Sequence, residues 1–91
     1  MKSIVVDDLS ECFFCGRPAT EIHHILHGTA NRKIADRYGL IVGLCHEHHT
    51  GDTGVHFDPD KDLYLKQLAQ RKFTEKHSEA LWQKEVGRNY L

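Results

Sequence analysis

The sequence of 91 residues lacks the features that mark membrane, disordered and highly basic proteins. No apolar run approaches the roughly 20 residues that span a bilayer, so no membrane partner is expected. Lys and Arg (12) nearly balance Asp and Glu (13), and 40% of the residues are hydrophobic, which excludes a basic tail and a disordered composition. The start has only a three-residue apolar run before two acids, unlike a secretory signal, so we expect a cytoplasmic location.

Cysteine is also scarce, because the chain has only three, and an odd number cannot close into a complete set of disulfides. Histidine is abundant by contrast: seven of the eight lie between Cys12 and His56, the stretch that holds every cysteine. In a reducing compartment such crowding indicates metal binding rather than disulfides. A chain of this size has a limited core, so a structural zinc ion would contribute directly to folding.

Two pairs of residues have the spacing of a tetrahedral zinc site, namely Cys12-x-x-Cys15 and Cys45-x-x-His48. A redox Cys-x-x-Cys is the alternative, but it requires a βαβ context and a helix that begins at the first cysteine. The fourth zinc ligand stays open at this point, because His46 and His49 lie close enough in sequence to replace His48.

The pattern of apolar residues predicts one small α+β domain. Segments 22–26 and 40–44 are short and apolar and are expected to pair as antiparallel strands, with a loop or a short helical turn over residues 29–38. Residues 46–49 are expected to form one helical turn, stopped by the glycines that follow. An amphipathic helix is predicted over 60–76, and a second helix after Ser78 contributes Trp82 to the core.

Seven histidines are left once His48 is assigned to zinc, and four of them are candidates for a second site: His23, His24, His49 and His56. They exceed what folding requires, because a buried imidazole needs partners for both ring nitrogens, so we predict a second, open metal site. Residues 46 and 49 share a helix face distinct from that of 45 and 48. Neighbouring strand residues point to opposite faces, so His23 and His24 can serve one site only where the strand ends or distorts.

These motifs in combination resemble the HNH (ββα-metal) endonucleases, particularly small zinc-stapled members from phages and prophages. The segments that carry the resemblance are Glu21-Ile22-His23-His24, Gly28-Thr29-Ala30-Asn31-Arg32-Lys33, Tyr38-Gly39-Leu40, Leu44-Cys45-His46-Glu47-His48-His49, Gly54-Val55-His56-Phe57 and Gly87-Arg88-Asn89-Tyr90-Leu91. The resemblance extends from residue 12 to residue 91.

The resemblance implies a zinc-stapled ββα-metal (HNH/His-Me finger) core over residues 12–58 and a two-helix extension over 59–91. It implies hydrolysis of phosphodiester bonds in DNA, within a bacterial host cell. His24 would be the general base, with Asn31 in the bracing role of the family's asparagine. The remaining imidazoles would hold one divalent ion (Mg²⁺, Mn²⁺, Ni²⁺ or Zn²⁺) beside the scissile phosphate; they are His23, His49 and His56.

Four basic residues flank the predicted site and are candidates for binding DNA phosphates: Arg17, Arg32, Lys33 and Arg37. The alternative for them is an ordinary solvated loop. The alternative for the whole chain is a zinc-dependent module that binds nucleic acid or protein and has lost catalysis.

Overall fold

A two-stranded antiparallel sheet lies at the centre of the fold. The computed structural model describes residues 2–91 and places β1 at Glu21–His24 and β2 at Ile41–Leu44. Glu21 pairs with Leu44 at one end of the ladder and His24 with Ile41 at the other. This register confirms the predicted antiparallel pairing. All four residues of β2 are buried, as a short apolar run predicts.

A helix, α1, connects the two strands over Thr29–Tyr38, where the sequence predicted a loop or a short turn. Only Ala35 in it is fully buried, so its few apolar positions gave a weak periodic signal. The helix ends at Gly39, whose φ of +72° is left-handed. A side chain there would also lie 2.6 Å from the backbone oxygen of Lys2, so this position requires glycine.

Three further helices follow β2: α2 at His46–His49, α3 at Pro59–Lys76 and α4 at Glu79–Glu85. The Asp58 side chain accepts hydrogen bonds at the start of α3, and Ser78 accepts one from the Leu81 N–H at the start of α4, which confirms the predicted cap. None of the helices found within residues 2–91 is long and apolar enough to cross a membrane.

One hydrophobic core joins the two halves of the chain. The α3 residues Leu65, Ala69 and Phe73 are fully buried and belong to the same cluster as the sheet residues and Trp82 of α4. The ring of Trp82 packs edge-on against Phe73 at 5.3 Å between centroids. The terminal helices and the sheet therefore share one hydrophobic core.

Candidate metal centres

The first candidate centre begins in a tight turn before β1. An isolated bridge pairs Glu11 with Pro18, and the Cys12 N–H donates to the Arg17 carbonyl at 2.7 Å. Gly16, with φ of +74°, closes the turn by donating its N–H to the Cys12 carbonyl. This turn presents two cysteine side chains, those of Cys12 and Cys15, toward the residues that follow β2.

The cysteine cluster consists of Cys12, Cys15, Cys45 and His48, whose possible ligand atoms all lie within 4.8 Å of one another. The sulfurs of Cys15 and Cys45 are 3.8 Å apart, and His48 Nδ1 lies 3.7 Å from Cys12 Sγ. Two sulfurs bound to tetrahedral zinc at about 2.3 Å each are themselves about 3.8 Å apart. These four residues can therefore bind a metal ion such as zinc.

The surroundings of Cys12 favour its thiolate, the form in which a cysteine binds metal. Burial opposes the charged form, but backbone N–H groups of Cys45, Cys15 and Phe14 outweigh this effect and lower the pKa of Cys12 to about 6. Because only 2% of this residue is exposed, an unpaired thiolate here would be costly. A bound cation would remove that cost.

The single turn of α2 directs its histidines to different places. Successive residues of a helix are rotated by about 100°, so His48 faces the cysteine cluster while the adjacent His49 faces away from it. The ring nitrogens Nδ1 of both His49 and His46 contact the carboxylate of Glu21 on β1. A carboxylate only accepts, so His49 carries its proton on Nδ1 and leaves Nε2 free for a metal ion.

The second candidate centre is the imidazole cluster, formed by His23, His49 and His56, with possible ligand atoms within 4.8 Å of one another. Their ring centroids lie 4.8 to 5.6 Å apart. His56 reaches this place because the loop after α2 folds back, and its backbone N–H donates to the His49 carbonyl. Gly54 permits the fold, since a side chain there would lie 2.6 Å from that same carbonyl oxygen.

His23 is the most buried member of the imidazole cluster, with 1% of its surface exposed. Its Nε2 is the one buried side-chain nitrogen or oxygen within residues 2–91 that lacks a hydrogen-bond partner. Burial, followed by the neighbouring charges of His49, His27 and His56, lowers the pKa of His23 to about 3. The ring is therefore neutral near pH 7 and has a lone pair available, which suits a metal ligand.

His24 points its ring toward α1 and contacts a residue that the sequence did not single out. Its Nε2 donates to Asp36 Oδ1 at 2.7 Å. A carboxylate only accepts, so this bond places a proton on Nε2 and leaves Nδ1 as the ring nitrogen that can act as a base. β1 ends at His24, and both His23 and His24 line one open pocket of about 430 Å³ with His49 and His56.

A further pair, His27 and Asp62, borders the imidazole cluster. Neither residue was identified from the sequence as part of a site. His27 Nε2 donates to Asp62 Oδ1 at 3.1 Å, and the other carboxylate oxygen accepts from Lys66 at 2.7 Å. These two residues and His23 have possible ligand atoms within 4.8 Å of one another. His27 lies on the loop after β1 with its side chain 42% exposed.

The four basic residues predicted to bind DNA have different surroundings. Arg32 lines the imidazole pocket and Lys33 is exposed beside it on α1. Arg17 is exposed on the turn of the cysteine cluster, whereas Arg37 lies 3.9 Å from the carboxylate of Glu85. The structure therefore brings one of the four directly to the histidines.

Asn31 lies in the first half of α1 and is partly buried. The hydrogen-bond partner of the His24 ring is Asp36 and not Asn31. A role for Asn31 in supporting the site stays a prediction. The sequence shows Asp36 only as an acid twelve positions after His24. Its contact with His24 depends on α1, which returns the chain toward the end of β1.

The arrangement as a whole separates a cluster dominated by sulfur from an open cluster of imidazoles, with His24 beside the latter. Such a site can hold a metal ion next to a group that accepts a proton. Comparisons with protein-family models, curated proteins and solved structures found no match to this chain.

Proposed function

We propose that this chain is a metal-dependent endonuclease of the HNH type that hydrolyses phosphodiester bonds in DNA. The observation that carries the proposal is the single pocket shared by His24, with its ring fixed by Asp36, and the imidazole cluster, in which the buried Nε2 of His23 has no partner. A bound cation would give the buried Nε2 of His23 the partner that it lacks, and the neighbouring His24 could take a proton from a water molecule.

The two clusters are assigned different ions. The cysteine cluster offers four ligands, the number that a closed tetrahedral zinc site of the structural kind takes. The imidazole cluster offers three ligands and borders an open pocket, which leaves coordination positions for water and a phosphate oxygen. We assign it one divalent ion, for which Mg²⁺, Mn²⁺, Ni²⁺ and Zn²⁺ are the candidates.

The residues of the chain then have distinct roles. A divalent ion bound by the imidazole cluster would polarise a phosphate oxygen and stabilise the leaving 3′ oxygen. His24 takes a proton from the attacking water at Nδ1, and Asp36 stabilises the imidazolium that forms. Glu21 holds His49 in the tautomer that presents Nε2.

Phosphate binding is assigned first to Arg32, because it lines the pocket, and next to Lys33, which is exposed on the same helix. Arg17 is assigned a more distant contact from the turn of the cysteine cluster. These contacts would position the backbone of DNA without reading its sequence. Since the net charge of the chain is −1, this local group would provide the attraction that the whole molecule does not.

The test is cleavage of a supercoiled plasmid by zinc-loaded protein, with each candidate ion added separately or removed by a chelator. We expect cutting that requires the added ion and is abolished in His24→Ala, with zinc content and helical circular dichroism unchanged. His77→Ala is the matched control, because His77 lies at the end of α3 beside Tyr38 and Phe73. Binding of DNA without any cutting would favour the alternative of a nucleic-acid-binding module.

A further inference from the structure

His27 and Asp62 have no role in the proposed reaction, yet they adjoin its metal centre. The His27 ring lies 5.3 Å from that of His23 and 5.7 Å from that of His56, measured between centroids. Asp62 comes from α3, a helix that contributes nothing else to either cluster. The pair therefore links the helical extension to the histidine centre.

The geometry of the pair suits a cation as well as a hydrogen bond. His27 Nε2 and Asp62 Oδ1 are 3.1 Å apart. Two ligand atoms that each lie about 2.1 Å from one ion, with a right angle between the two bonds, are about 3.0 Å apart. Lys66 holds the second oxygen of Asp62, which leaves Oδ1 directed toward His27.

The second observation is the buried ring of His23, whose Nε2 has no hydrogen-bond partner and whose possible ligand atoms lie within reach of both sets. The imidazole pocket and a neighbouring pocket, lined by Asp62 and Val55, meet at His27 and His56. An ion that enters here thus finds possible ligands from both sets close to the same buried ring.

We propose that His23, His27 and Asp62 form a second seat for a divalent cation, an alternative to the seat formed by His23, His49 and His56. In this proposal both seats use the unpartnered Nε2 of His23. Because one ring nitrogen binds one ion at a time, the two seats are then mutually exclusive. The second seat has a carboxylate oxygen in place of one imidazole, which favours harder cations such as Mn²⁺. This inference rests on the proposed metal centre but not on cleavage of DNA.

The experiment measures Co²⁺ and Mn²⁺ binding to zinc-loaded protein by calorimetry, with cobalt absorption to show whether thiolates take part. Wild type should bind one ion per chain beyond the zinc. The variant His49→Ala/His56→Ala should still bind one Co²⁺ ion, because the second seat is intact. Adding Asp62→Asn to that variant should weaken binding by more than about tenfold, the least that even an outer partner of a metal site contributes.

Controls separate the loss of a ligand from other effects of these substitutions. Asp60→Asn makes the same change on the same helix outside the site. It should not weaken binding in the double variant. If alanine at residues 49 and 56 disturbs the fold, seen in zinc content and circular dichroism, glutamine at both positions serves instead.

Three results would overturn the second seat: no binding to the folded double variant, binding that is insensitive to Asp62→Asn, or two ions bound at once in wild type beyond the zinc. Failure of plasmid cleavage would count against the proposed endonuclease alone, because every measurement here is of binding. Conversely, cleavage with a single seat would leave the proposed function in place. For Mn²⁺ we expect a larger fold-loss on Asp62→Asn than for Co²⁺.

Discussion

The pairing of His24 with Asp36 leads to a quantitative prediction for Asp36→Asn. The asparagine oxygen can still accept the Nε2 proton at 2.7 Å, so the tautomer of His24 is preserved. What is lost is the carboxylate charge that stabilises the imidazolium formed when His24 takes a proton from water. The substitution thus tests the charge of Asp36 separately from its geometry.

The magnitude follows from the surroundings of the pair. A hydrogen bond to a charged group contributes about 1.5–3 kcal/mol. The Asp36 side chain is 50% exposed, so solvent screening places its contribution near the lower limit. A loss of about 1.5 kcal/mol corresponds to a rate of cleavage about tenfold lower. Asp36→Leu, which also removes the acceptor, should lower the rate further, toward the 10²- to 10⁴-fold that a general base typically contributes.

The assay is the initial rate of plasmid nicking at saturating metal ion, compared for wild type, Asp36→Asn, Asp36→Leu and His24→Ala. Zinc content and circular dichroism should be the same in all four proteins. If Asp36→Asn cuts at the wild-type rate while His24→Ala is inactive, the assignment of Asp36 is wrong. If all the variants cut equally, the assignment of His24 as base is wrong as well.

Three other predictions concern stability and binding. Because the folded-state pKa of His23 is about 3, well below its ordinary value, the unfolded chain binds the extra proton first as the pH falls. The free energy of unfolding of zinc-loaded protein should thus fall below pH 6.5, by at most about 1.4 kcal/mol per pH unit, and His23→Leu should lack this component in urea titrations. Cys12→Ser should lose zinc and unfold, measured by metal content and circular dichroism; a folded, metal-free variant would contradict a structural role for the cysteine cluster. Arg32→Ala and Lys33→Ala should each reduce the salt dependence of DNA affinity by about one unit of slope, and an affinity insensitive to salt would exclude phosphate contacts there.

Local spacing explains why the cysteine cluster could be predicted. Cys12-x-x-Cys15 and Cys45-x-x-His48 each place two ligands within one turn, and a tetrahedral ion needs four of them. The sequence could not choose among His46, His48 and His49, because the choice depends on how α2 is rotated against β1. In the structure Glu21 contacts His46 and His49 and leaves His48 to the cysteines.

The helices and strands that the sequence predicted correctly are those with a clear periodic pattern of apolar residues. The strands, α3 and α4 have clear patterns, and the structure places them within a few residues of the prediction, with β1 shifted toward Glu21. α1 was not predicted as a full helix, because it is largely exposed and its boundaries depend on Gly28 and Gly39. Its position between the strands decides where Asp36 and Arg32 point.

The sequence by itself determined the two groups of candidate metal ligands, since ligand type and local spacing are properties of the chain. Only the tertiary structure decided which side chains support them: Asp36 beside His24, Glu21 beside His49, and Asp62 beside His27. The partners in these pairs are 12 to 35 residues apart. Such contacts depend on how helices dock on the sheet, which is set by burial of apolar side chains far from the site.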